Sequence, residues 1–458
     1  MLILLLTDAP FGPNVKVSNW DISTGLDQLE VSLAKSSSWI AAHWIDTDWS
    51  GWFSANDFAI SSDGGSTWKF VWYIRPPDTV NCWIGDPSVA SDPTNPDKFY
   101  AVGMIYCNPS DPKGEVYFCK NTGRPDTITS WSCSILPPND GWAYFKDKPW
   151  IISLGGGVLL VNYTTDKYGS YEIDIARSTN DGSTWNTIRL SGVQSTVAYF
   201  YRDGSTVYLS QNNFNSWPNI AIRVRKSTDN GATWTSLGDA VSFSPGSSTY
   251  CPNFNRPAKI HNHITAQGNN IAVAFIKPNG SYCNVGVAYS TNGGSTWNNK
   301  YVAQASTDQV LPMIASSSPS NLYVMWQEKV GSQWATKWAS SSNWATTFSS
   351  PGRVSDHNYT FNQNPAGHDY NGFLYDAGNL FAIWANDYYG DDAGAVYFTR
   401  TAYTSLEEAL DNGIAGEFDI YTVDGRVVAR NVKNLKEMHL PNGVYFLKTG
   451  TRVIKVVR

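Results

Sequence analysis

Short runs in which apolar and polar residues alternate recur along most of the chain. They lie at 57–61, 115–120, 172–178, 220–227, 284–290, 333–340 and 395–401, at spacings of 48 to 64 residues. Period-2 alternation places one face of each run on a core and predicts β-strands. Two further strands precede each run, for example Asp86-Pro-Ser-Val-Ala90 then Phe99-Tyr-Ala-Val-Gly103, or Leu311-Pro-Met-Ile-Ala315 then Leu322-Tyr-Val-Met-Trp326. A fourth strand after each run completes the repeat. Seven repeats of four strands predict an all-β, seven-bladed β-propeller with short, protected sheet edges. The seventh repeat lacks its outermost strand, and Asn14-Val-Lys-Val-Ser-Asn-Trp20 has no partner of its own. An open sheet edge is costly, so this N-terminal segment is expected to close the ring.

Four of the runs end in one turn pattern: Ser61-Ser-Asp-Gly-Gly-Ser-Thr-Trp68, Ser178-Thr-Asn-Asp-Gly-Ser-Thr-Trp185, Ser227-Thr-Asp-Asn-Gly-Ala-Thr-Trp234 and Ser290-Thr-Asn-Gly-Gly-Ser-Thr-Trp297. The pattern resembles the Asp box, S-x-D-x-G-x-T-W, of sialidases and many other propellers. Its chemistry is that of a turn. The Asp or Asn accepts backbone N–H groups, the Gly permits positive φ, and the Trp buries a large apolar area.

The domain plan has residues 14–403 as the propeller and 1–13 as a leader remnant or N-terminal extension, with a first β-strand as the alternative. Residues 404–458 form a short C-terminal β module. There the charge balance changes to eight Lys/Arg against seven Asp/Glu. Its elements Asp424-Gly-Arg426 and Leu440-Pro-Asn-Gly-Val-Tyr-Phe-Leu-Lys448 resemble the type A C-terminal signal of the type IX secretion system. That resemblance implies export to the medium or the outer-membrane surface through this machinery. A generic accessory β-hairpin module is the alternative.

Composition sharpens the picture. Aromatic residues make up 14% of the chain and charged ones 16%, with 20 Trp and 25 Tyr, as many twisted strands require. A net charge of −6 excludes the basic face that nucleic acid demands. No apolar stretch approaches the roughly 20 residues of a membrane-spanning helix. A monomer is expected.

The six cysteines suit disulfides in an exported protein. In the blade plan Cys251 and Cys283 fall in loops on one face of the fifth blade. Cys82 and Cys107 occupy the equivalent loops of the second. Cys119 and Cys133 flank the second blade's outer turn, where Thr122 stands in place of the box aspartate. The expected pairs are therefore Cys251–Cys283, Cys82–Cys107 and Cys119–Cys133, although four cysteines alone allow three connectivities.

Ligands of propellers collect where the inner strands begin. The candidates for acid–base chemistry there are Asp86, Asp147, Glu328, Asp369 and Tyr370. The candidates for holding substrate are Trp44, Asp46, Trp49, Lys148, Arg256, Asp308, Asp387 and Tyr388. Carboxyl groups with a tyrosine and an arginine can protonate a glycosidic oxygen and stabilise an oxocarbenium-like transition state. For any one of them, capping a strand end is the blander role. His261 and His263 have the spacing of metal ligands, but hydrogen-bonded core histidines are the better reading. No cofactor is expected. Asp391-Asp392 offers oxygens for a structural calcium ion, with a solvated loop preferred.

The sialidase resemblance implies an arginine triad, and this chain departs from it. Its first 60 residues contain no arginine, Tyr73-Ile-Arg-Pro76 is a loose echo falling after the first box, and Arg256 stands alone. The expectation is therefore a carbohydrate-active propeller acting on an extracellular glycan: a glycoside hydrolase other than a standard sialidase, with a polysaccharide lyase second. The rival class is a non-catalytic glycan- or protein-binding adhesion propeller.

Overall fold

The computed structural model describes residues 11–18, 27–48, 53–74, 82–107, 114–136, 145–167, 169–244, 262–360, 369–389, 392–401, 404–405, 418–422, 426–432, 444–449 and 452–457. It shows seven four-stranded antiparallel sheets, the blades of a propeller. The innermost strands, in order, are Asp27–Lys35, Cys82–Ser91, Phe145–Gly155, Ala198–Asp203, Asn262–Gln267, Gln309–Ser316 and Gly372–Asp376. In blades 1 to 6 the four strands follow one another in sequence. Blade 7 is completed by Val15–Lys16, which pairs antiparallel with Asp392–Arg400 through Val15 opposite Phe398 and Lys16 opposite Tyr397. The N-terminal segment thus closes the ring, as the unpartnered edge required.

Apolar clusters fill the contacts between neighbouring blades. Trp44 and Trp68 meet Phe381 and Phe398 between blades 1 and 7. Phe58 and Trp72 meet Phe99 and Tyr117 between blades 1 and 2. The repeated turns contribute to this packing. In the first of them Gly65 N–H donates to Ser61 Oγ (2.8 Å), and Thr67 donates its N–H and hydroxyl to Asp63 (2.9 and 2.6 Å). The turns at Ser178, Ser227 and Ser290 repeat the first two of these bonds. At Asp229 the Thr233 hydroxyl and amide hold the carboxyl down to about 2.

A fifth copy is hidden in Ser341-Ser-Asn-Trp-Ala-Thr-Thr-Phe348. Ala345 N–H donates to Ser341 Oγ (2.9 Å) and Thr347 N–H to Asn343 Oδ1 (2.8 Å). Trp344 and Ala345 adopt φ of 50° and 67°, where two glycines stand in the first turn. The bonding outlasts the sequence pattern because Ser, Asn and Thr carry it.

Glycine is required where the turn presses on the preceding blade. A Cβ on Gly65 would sit 1.9 Å from the Phe398 ring, at φ 93°. Gly65→Ala is expected to cost about 2–4 kcal/mol, from overpacking and left-handed backbone together. Urea titration measures it, and a loss below about 1 kcal/mol would contradict this packing.

Cys119 and Cys133 are bonded, directly opposed across the outer hairpin of blade 2 with Cα atoms 4.1 Å apart. Cys82 and Cys107 face each other in the register of that blade's two inner strands. Cys283 is disulfide-bonded, and Cys251 lies outside the described residues. The C-terminal residues form a separate five-stranded sheet made of Thr404–Ser405, Phe418–Thr422, Val427–Val432, Val444–Thr449 and Arg452–Val457. No helix among the described residues is long and apolar enough to cross a membrane.

Candidate functional site

Four inner strands carry a β-bulge near their starts. The register slips between Leu29 and Ser32, Gly85 and Ser88, Asp147 and Trp150, and Val310 and Met313. At each bulge one non-glycine residue has positive φ: Glu30 at 48°, Asp86 at 48°, Lys148 at 50° and Leu311 at 51°. A bulge re-aims its side chain at a local conformational cost, and such strain gathers at functional sites.

Three of these re-aimed side chains converge with Asp147 and Asp369. Lys148 Nζ binds Asp86 Oδ1 at 3.2 Å and also Asp369 Oδ2. One carboxylate oxygen each from Glu30, Asp86 and Asp369 lies within 4.8 Å of the others. Glu30, Asp86 and Asp369 are 2, 6 and 3% exposed. Four carboxyl groups share one ammonium group, so full ionisation would bury three excess negative charges; the cluster keeps protons instead.

Burial, then the charge of Asp86, pushes Asp147 up to about 8 against the pull of Lys148. Burial and the charges of Asp86 and Asp369 raise Glu30 well above the usual carboxylate range. Both groups hydrogen-bond to Asp86. Burial opposes the charge on Lys148, but Asp369 and Asp86 outweigh it and hold the ammonium protonated. Near neutral pH the site therefore keeps Asp147 and Glu30 as carboxylic acids beside a protonated ammonium group.

Tyr370 and Tyr199 border this cluster, their phenols raised by burial and then by its negative charge. The Tyr370 hydroxyl donates to Pro87 O (2.8 Å), behind Asp86. The Trp150 ring meets Tyr199 and Tyr370 edge-on at 4.9 and 5.4 Å. Below this aromatic floor a channel of about 570 Å³ opens on the opposite face, lined among others by Trp150, His263 and Met313.

The structure thus brings together Asp86, Asp147, Lys148, Asp369 and Tyr370 from the expected set, and adds Glu30. The signal for Glu30 was an alignment of bulges, Glu30-Val-Ser32 upon Asp86-Pro-Ser88. A valine where the other bulges have proline conceals it.

Other expected residues lie elsewhere. Trp44 was expected to face a sugar, but it is fully buried between blades 1 and 7. Glu328 is occupied within blade 6, binding Lys337 Nζ (2.5 Å), Gln309 Nε2 (3.0 Å) and Trp326 Nε1 (3.1 Å). Asp308 accepts the Cys283 N–H (2.8 Å) and ties blade 6 to blade 5. Asp46 is buried on the second strand of blade 1, opposite Gln28. Asp387 and Tyr388 end the second strand of blade 7, but their side chains, with Trp49, Arg256, His261 and Asp391, lie outside the described residues. His43 and His263 are core histidines, held at about 4 by burial. His43 bonds Asp57 O (2.7 Å) and Tyr117 Oη (2.9 Å).

These shifts set a pH dependence of stability. The folded chain keeps a proton on Asp147 that the unfolded chain, with a carboxyl near pH 3.9, has released. That contribution is complete below the unfolded value and is lost as pH rises toward 8. Glu115, pushed up to about 7 chiefly by burial, acts in the same direction. The two histidines act oppositely, but only below about pH 6.5. Between about pH 6.5 and 8 stability is expected to fall by on the order of 1 kcal/mol per pH unit, and less steeply in Asp147→Asn. Urea midpoints across that range measure the slope, and a flat or rising wild-type profile would overturn the protonation scheme.

No family model matches the chain, and no curated protein sequence matches it. Its fold has solved relatives. The polysaccharide lyase Uly1 superposes with a TM-score of 0.53 at 8% identity, over 81% of this chain and 89% of that one. An ulvan lyase from a new polysaccharide lyase family gives 0.52 at 10% identity, over 85% of this chain and 95% of its own. The sialidase of Trypanosoma rangeli gives 0.45 at 12% identity over 92% of this chain. This chain spans 65% of the length of that sialidase and of a Hadza microbial sialidase. At such identities the likeness is one of fold.

Proposed function

We propose that this chain is a secreted, glycan-cleaving propeller, a glycoside hydrolase other than a standard sialidase. The observation that carries the reading is the convergence of Glu30, Asp86, Asp147 and Asp369 on the single ammonium group of Lys148, with Asp147 and Glu30 held protonated. Asp147, pushed up to about 8, has a proton to give at neutral pH. Asp86 and Asp369, held against the ammonium group, are the partners suited to stabilise positive charge or to attack. Such divergence of neighbouring carboxyl groups marks the acid and the base of glycosidic cleavage. Glu30, also held protonated, is the alternative acid, and the approach of its oxygen to those of Asp86 and Asp369 suits the retaining geometry, about 5–5.5 Å between carboxyls, better than the inverting one. An acid-rich cluster repels a polyanion, which supports a neutral glycan. Polysaccharide lyases use the same fold, which makes a lyase the next chemistry to test.

Export rests on the disulfide framework and on the resemblance of the C-terminal strands to a type IX sorting signal. The Asp-box reading rests on the shared bonding of the turns. A monomer suits both. The burial of Glu30, Asp86 and Asp369 specifically favours a second reading, in which the cluster is a structural axle in a non-catalytic glycan-binding propeller. A screen of neutral polysaccharides, with uronic-acid polysaccharides included as lyase substrates, for new reducing ends separates the two, with product anomers read by NMR. Cleavage with retained configuration supports the hydrolase. Glycan binding without cleavage supports the binder, and unsaturated products support the lyase.

A further inference from the structure

Trp217 stands apart from the other tryptophans. Among the described residues it alone of that type is exposed, at 53%. It lies between the second and third strands of blade 4, Thr206–Asn213 and Ile220–Ser227. Gln211, near the end of the first of these, pairs with Ala198 at the start of the inner strand. The Trp217 loop is therefore on the face where the acid cluster lies.

Hydrogen bonds hold that loop in place. Phe214 N–H donates to Gln194 O (3.0 Å), and Gln194 N–H donates to Asn215 Oδ1 (2.7 Å). Asn215 Nδ2 donates to Gly192 O (2.7 Å), and Trp217 N–H donates to Phe214 O (3.0 Å). Gln194 reaches further, accepting Tyr171 N–H (2.9 Å) and donating to Ser170 Oγ (3.1 Å) in blade 3. Two neighbouring blades thus support one rigid platform with an indole at its top.

At 53% exposure Trp217 forgoes part of the apolar burial an indole can gain. Fixing its loop removes the ordering cost that a binding event would otherwise meet. The residues around it, Asn215, Ser216 and Asn219, are exposed and polar. An aromatic plane flanked by amides and a hydroxyl matches a pyranose ring, whose C–H face is apolar and whose rim is hydroxyl. A protein partner would call for a larger apolar patch, and among the described residues of this loop only Pro218 adds an exposed apolar side chain.

We infer that Trp217 is a sugar-stacking subsite that holds an extended glycan against the face bearing the acid cluster, outward from the cluster itself. The inference deepens the glycan reading above and rests on it.

Affinity electrophoresis through arabinoxylan, mixed-linkage β-glucan and galactomannan, in separate gels, tests it. A polysaccharide that retards the wild type should retard Trp217→Phe similarly and Trp217→Ala about 5- to 10-fold more weakly. In the wild type, saturating polysaccharide should also slow oxidation of Trp217 by N-bromosuccinimide, read by peptide mass; this needs no variant to fold. Equal retardation of Trp217→Ala and wild type, unprotected Trp217, or no retardation of the wild type by any of the three would overturn the subsite. If Asp147→Asn abolishes cleavage while Trp217→Ala binds normally, the subsite fails and the acid cluster stands. If Trp217 governs binding and nothing is cleaved, the hydrolase reading fails and the subsite stands.

Discussion

Asp147→Asn is expected to lower kcat on the cognate glycan by about 10²–10⁴-fold, the usual contribution of a positioned acid. The amide matches the carboxylic acid in size and charge. Asp147 is pushed up to about 8, so at pH 7 the substitution replaces one neutral group by another. The fold should therefore survive, and the defect should lie in kcat rather than KM, because the amide cannot deliver a proton. Glu30→Gln belongs in the same experiment, since Glu30 is also held protonated. The larger loss identifies the acid. Wild-type kcat in both variants would remove the cluster from the chemistry.

Lys148→Met should weaken the propeller itself by about 3–5 kcal/mol at pH 8, the cost of stranding a buried charge. The lysine is the cation bound by both Asp86 and Asp369, which lie on different blades and are almost fully buried. Methionine fills similar space but leaves both carboxylates without their cation. Removing the ammonium group leaves the excess negative charge of the buried cluster uncompensated, a cost that grows as pH rises and more of the cluster ionises. The deficit should accordingly be larger at pH 8 than at pH 5. Asp369→Asn in the Lys148→Met background should recover part of it, the coupling expected of direct partners. A deficit under about 1 kcal/mol at pH 8, or one indifferent to pH, would show that the ammonium group is not the counter-ion of this cluster.

Either result bears on the choice between hydrolase and axle. A cluster that only stabilises should lose stability without its lysine, while Asp147→Asn leaves glycan handling untouched. A catalytic cluster responds to both, in different observables.

Much of the architecture was legible along the chain because a propeller is a local repeat. Alternation in 172–178 or 220–227 shows which side chains face the neighbouring blade, and the turn at Ser61 carries its own hydrogen-bonding partners within seven residues. Ring closure by Val15–Lys16 was readable too, since a blade with three strands demands a fourth. The bond between Cys119 and Cys133 followed from their places on one hairpin.

The site was legible only in part. Asp86 and Lys148 announced themselves as polar residues before prolines at strand starts, but Glu30 did not. Glu328 looked equally suited, and only the cross-strand register shows Lys337 beside it in blade 6. Trp44 had the aromatic character of a sugar platform, yet blade 7 packs over it. Trp217, which solvent reaches, lay unremarked among Asn and Ser. Alternation and turn chemistry act between residues a few positions apart, so the sequence alone determined strands, turns and repeat number. Exposure and protonation depend on what other blades bring to the same point. Asp86 and Asp369, 283 positions apart, meet on Lys148, and the desolvation that keeps protons on Asp147 and Glu30 exists only after the ring has closed.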